Sequence, residues 1–193
     1  MQLLCRINKM AKAFLDPQLK IDHRKQQTEL KLFNALVQKY RSGATFEQIK
    51  IKELCQMAGV SRATFYRHHQ ELTDVIVVQF LILIANFERQ IDELEQIDFV
   101  NSSAVIVTTI YANLELIKMM QWSDIQPQIQ SLFSGTALQI LILRDYSKVT
   151  QNFVSDFLGK TILNFAQQIA MAVEPITPAV ALKLYRLLLP NSL

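Results

Sequence analysis

From Val60 to Gln126 the chain runs for 67 residues without a glycine or a proline. A strand-rich fold needs such residues at its many tight turns, because they accept a positive φ or fix a negative one. They are missing again from Ala44 to Ala58, and in all 193 residues there are only 4 Gly and 5 Pro, below the roughly 12% of average usage. An all-α fold built from long helices is therefore expected.

The apolar spacing agrees. Leu30, Phe33, Leu36, Val37 and Tyr40 recur at helical intervals, which predicts a helix over Gln26–Arg41 with Gly43 as its left-handed stop. Thr45 to Gln48 has capping-box form and predicts a helical turn. Ile51, Leu54 and Cys55 mark one face of a second helix that stops at Gly59, and Ser61 is placed to cap a third, Arg62 to about His69. Thr73 reads as the cap of a long helix carrying Val75, Ile76, Phe80, Leu83, Ile84, Phe87 and Ile91. Further helices are expected at about Ser103–Met120, Gln126–Asp145, Thr150–Val173 and Pro178–Leu188, the last with Thr177 as cap. Leu3, Ile7, Met10 and Phe14 allow a short amphipathic helix or a basic arm before them.

The length suffices to bury a core without covalent staples. Cys5 and Cys55 form no CxxC or Cys/His cluster, so neither a disulfide framework nor a zinc site is expected, and a reducing cytoplasm is the expected location. The first residues lack the basic and apolar regions of a signal peptide. The most apolar stretch, Val75–Phe87, is broken by Gln79 and Asn86 and falls short of the ~20 residues that span a bilayer. No paired catalytic carboxylates, activated nucleophile or Gly-rich phosphate loop appears, so the chain is not expected to be an enzyme and needs no cofactor.

Charge divides the chain. Met1–Asp74 holds 13 Lys and Arg against 7 Asp and Glu, while Val75–Leu193 holds 7 against 10, so a formal charge of +3 combines a basic part with a mildly acidic one. Such asymmetry suggests a polyanion-binding module on an apolar scaffold. The basic part contains IKIKELCQMAGVSRATFYRHHQELTDVI, from Ile49 to Ile76. Helix, three-residue turn and helix is the helix-turn-helix layout, whose second helix enters the major groove of DNA. Gly59 permits the turn; Ile51, Leu54, Cys55, Val60 and Phe65 can join the helices; Lys50, Lys52, Arg62 and Arg67 are left to meet phosphates.

This stretch resembles the DNA-binding domain of the TetR family of bacterial transcriptional regulators. The resemblance rests on Ile51-Lys52-Glu53-Leu54-Cys55, Ala58-Gly59-Val60-Ser61 and Arg62-Ala63-Thr64-Phe65-Tyr66, with His68 two places on. It implies a three-helix helix-turn-helix domain over 26–74, after an arm over 1–25, and a helical ligand-binding and dimerisation domain over 75–193. It further implies that Ser61 caps the recognition helix and touches the backbone, that Arg62, Ala63 and Thr64 face the bases, and that Tyr66 and His68 contact phosphates with Lys50, Lys52 and Arg67 supplying charge. The expected function is that of a homodimeric regulator, in the commoner family outcome a repressor, which binds a pseudo-palindromic site on double-stranded DNA and is released by a small-molecule effector.

Three positions depart from the family pattern: Lys50 replaces a hydroxyl cap, His69 an aromatic core residue and Leu72 a basic one. They motivate a competing expectation, a protein-interaction or co-regulator module of the same fold with weak DNA affinity. For the second domain, Phe87, Tyr111, Met119, Met120, Trp122 and Phe133 are candidates for core or cavity. Phe153, Phe157, Leu158, Ile162 and Phe165, with Leu182, Leu184, Tyr185 and Leu188 on the last helix, are candidates for a dimer face.

Overall fold

A computed structural model describes residues 23–143 and 147–189. The expected helix around Leu3–Phe14, most of the 1–25 arm and the end of the helix expected to reach Asp145 lie outside the described residues. All regular structure among the described residues is helical: α1 (His23–Arg41), a 3₁₀ turn (Phe46–Gln48), α2 (Ile51–Ala58), α3 (Arg62–His68), α4 (Leu72–Asp92), α5 (Phe99–Ala112), α6 (Leu114–Trp122), α7 (Gln126–Leu143), α8 (Gln151–Ala170) and α9 (Pro178–Leu188). None of these helices is long and apolar enough by itself to cross a membrane.

The chain forms two compact units. The first contains the described residues up to Ile82 together with Met119–Gln126. In it α1 packs on α2 and α2 on α3. Leu32, Leu36, Leu54, Phe65, Ile76, Phe80, Met119 and Met120 are all fully buried, each side chain contributing on the order of 1.5–3 kcal/mol of apolar transfer. The candidate cavity residues Met119, Met120 and Trp122 thus belong to the unit that carries the basic motif.

The second unit comprises Leu83–Lys118 and the residues from Pro127 onward. There α5 packs against α9, and the contact is polar as well as apolar: Arg186 donates from Nε to Ser103 Oγ and from Nη2 to the Val100 carbonyl, both at 2.8 Å. Phe165 meets Tyr185 edge to face, with centroids 5.2 Å apart. Tyr185 is therefore core, not part of an outer face as expected, and burial pushes its phenol far above the usual value. Tyr111 donates its hydroxyl to the Ile176 carbonyl.

Several helix limits differ from expectation for local reasons. The 18 residues expected as one helix, Ser103–Met120, begin earlier and break at Asn113, whose amide donates to the Thr109 carbonyl at 2.8 Å and competes with the backbone ladder. The early start is made by Asp98, which accepts the Asn101 N–H at 2.7 Å. Thr73 caps nothing; α4 starts at Leu72, and Asp74 reaches back to accept the N–H groups of Gln70 and Glu71. Thr45 precedes a 3₁₀ turn but its hydroxyl makes no capping bond, so the capping box is not formed. The helix expected to run to Val173 ends at Ala170, ahead of Pro175. Thr177 caps α9 as expected.

Candidate nucleic-acid interface

The motif region is assembled from short-range physics. Helix α2 ends at Gly59, which sits at φ 62° and ψ 34°. Its N–H reaches the Gln56 carbonyl and that of Val60 reaches the Cys55 carbonyl at 2.9 Å, a complete Schellman stop. Any residue with a Cβ would be strained at that φ. Two residues on, Ser61 has extended backbone and its Oγ accepts the Thr64 N–H at 3.0 Å, capping α3. The two helices joined by a tight turn are thus present, with the limits the sequence suggested.

Burial then decides which way α3 faces. Phe65 is 0% exposed and Leu54 and Cys55 are buried beside it in the first unit. Arg62, Ala63, Tyr66 and Arg67 consequently point outward, as do Lys50, Lys52 and Ser61. Tyr66 is 52% exposed. The guanidinium of Arg62 lies 5.9 Å from the Tyr66 ring centroid, so a cationic fork and a phenol share one surface. Thr64 is half-buried and its hydroxyl is 2.9 Å from Ser61 Oγ, engaged at the cap. His68 is half-buried, and burial is the main reason its imidazole titrates below the usual value, against the attraction of Glu29. Lys50 takes the cap position of α2 without any side-chain bond, as its chemistry requires. Burial raises the Cys55 thiol above its usual value, which suits a small core residue and not a reactive thiolate.

His69 carries the polar ring expected at a core position, and the structure supplies a partner the sequence did not indicate. Its Nε2 lies 2.9 Å from Glu29 Oε2, and each residue is only 2% exposed. The pair ties the residue that ends α3 to the early turns of α1. Leu72 is half-buried as the first residue of α4.

Trp122, a candidate for core or cavity, has partners that the sequence does not indicate. Its indole N–H donates to the Ala44 carbonyl at 2.9 Å, and its ring meets Tyr40 and Phe46 edge to face, at 5.3 and 5.0 Å. Neither Glu29 nor Trp122 lies within the motif, and each partner is tens of residues away. The chemistry offered by the exposed surface is hydrogen-bond donation to anionic or carbonyl oxygens by Lys50, Lys52, Arg62, Tyr66 and Arg67.

Comparison with known proteins places the fold. The crystal structure of Lin0861 from Listeria innocua is 34% identical over 88% of this chain and 93% of that one, with a TM-score of 0.81. No family model matches the chain and no curated protein matches it.

Proposed function

The chain belongs to the same family as Lin0861 of Listeria innocua, and from its own helix-turn-helix motif we propose that it is a cytoplasmic, dimeric transcriptional regulator of the TetR type, acting as a repressor on a pseudo-palindromic operator. The observation that carries this reading is the orientation of α3. Phe65 anchors its inner side completely while Arg62, Ala63, Tyr66 and Arg67 face outward from the capped helix. A short helix held this way suits insertion in the major groove, with Arg62 reading a guanine and Tyr66, Arg67, Lys50 and Lys52 gripping phosphates. His69 supports the reading too: it faces Glu29 across 2.9 Å, so this departure from the family pattern brings its own counter-group into the core.

The partner-facing surface is proposed on α8, where Phe153 and Phe157 are 76% and 51% exposed and stack on one another. Two such heads about one helical turn, ~34 Å, apart would meet successive major grooves. A small-molecule effector held by the second unit would act by binding more tightly to a state in which that spacing is lost.

Leu72 favours a second reading, a protein-interaction module with weak DNA affinity, because it takes away a basic group at the start of α4. Mobility shifts with DNA from upstream of the chain's own gene, run at several salt concentrations, separate the two. A complex that weakens steeply with salt is expected, and Arg62→Ala is expected to cost about 1–3 kcal/mol of operator binding while leaving the dimer intact. Absence of a salt-sensitive complex with every promoter fragment would overturn the regulator reading, and unchanged biological activity in Arg62→Ala and Tyr66→Ala would favour the second.

A further inference from the structure

The first unit is discontinuous: it takes in Met119–Gln126 from beyond the long helix α4. What that segment contributes is visible at the connector between α1 and α2. Gly43 ends α1 at φ 76°, and the chain then reaches α2 through a connector held by local backbone hydrogen bonds and the buried Ile49, with no side-chain cap to fix it. The Thr45 hydroxyl makes no capping bond, the 3₁₀ turn Phe46–Gln48 buries no residue, and Lys50 offers no side-chain cap. Lys39 and Glu53 cross the gap at 3.7 Å, but both are partly exposed, so the pair is weak.

Trp122 adds contacts from far along the chain at this connector. Its N–H satisfies the Ala44 carbonyl, and its ring is wedged against Tyr40 from α1 and Phe46 from the turn. One side chain thus grips the end of one helix, the connector backbone and the turn leading into the next. Edge-to-face rings and a part-buried N–H each add directional attraction beyond area burial.

We infer that Trp122 is a positioning residue for the DNA-binding surface: together with the direct packing of α2 on α1, it fixes the angle at which α2, and α3 packed on it, leave α1. This rests on the regulator reading for its effect on DNA, though the clamp itself does not. Substitution of Trp122 lets the connector sample other conformations while the donors of α3 remain in place. Operator affinity then falls without loss of phosphate contacts.

The test uses the full chain with Trp122→Leu and Trp122→Phe, the latter keeping ring edges but lacking the N–H. Amide exchange is followed over 43–58, and affinity for the promoter fragment is measured at a temperature where both variants have native helicity. Trp122→Leu is expected to speed exchange over 44–50 by about tenfold or more, and to weaken DNA binding by about tenfold with an unchanged salt slope. Trp122→Phe is expected to lose about threefold in affinity, a partial rescue that separates clamping from mere filling of space. Native protection over 44–50 in both variants overturns the inference, as does native affinity in both. If the wild-type chain forms no salt-sensitive complex, the regulator reading fails and the exchange measurement alone decides the clamp.

Discussion

Glu29 and His69 form a contact that stabilises only as a pair. Removing one partner leaves the other buried without its counterpart, whereas replacing both with apolar groups removes the desolvation cost as well. Glu29→Ala is therefore expected to lower unfolding free energy by about 3 kcal/mol, and the double change Glu29→Leu with His69→Phe to recover most of that loss in urea titrations. His68 gives a second prediction. Burial lowers its folded-state titration point, so the unfolded chain binds the proton more readily. The corresponding stability is present above the ordinary histidine range near pH ~6.5 and is lost as the pH falls through the lowered value. Between pH 7.5 and 5 the urea midpoint should fall further for the wild type than for His68→Gln. Gly59, Ser61 and Phe65 could be assigned from sequence because their partners lie within a few positions. Glu29 could not, since an acid near the start of an amphipathic helix reads as solvated until the fold brings an imidazole to it from 40 residues away.

Helices α7 and α8 cross in the second unit with little room to spare. A Cβ built on Gly159 would come within 2.6 Å of the Ser134 amide nitrogen, and a backbone atom cannot rotate away. Gly159→Ala should cost about 1–3 kcal/mol through forced separation of the two helices, read as a lower midpoint in thermal or urea unfolding. Glycine at this position looks from sequence like a mere weakness in a helix; only the neighbouring chain explains it. Helix starts were readable where a side chain close in sequence caps them, as at Ser61 and Thr177. The break at Asn113 was not, because apolar spacing continues through it and the decisive bond belongs to a single amide. The same limit applies to Thr73, a sound capping residue that lies inside α4 because the helix starts at Leu72, where Asp74 holds the N–H groups of Gln70 and Glu71.

For the assembled chain, the stacked Phe153 and Phe157 give the proposed dimer its sharpest test. Phe153→Asp combined with Phe157→Asp should convert a dimer to a monomer in sedimentation equilibrium with helicity unchanged, since neither ring is needed to complete its own unit. The division of charge along the sequence puts a boundary after Asp74, whereas the two units part at Ile82 and the first also recruits Met119–Gln126. That recruitment has a consequence for biosynthesis. After Ile82 has been made, roughly 40 further residues must be added before Trp122 exists, a delay of about 2–8 s at ordinary translation speeds of roughly 5–20 residues per second. During that interval the nascent first unit lacks its wedge, so the connector between α1 and α2 takes its final form only once residue 122 of 193 has been synthesised.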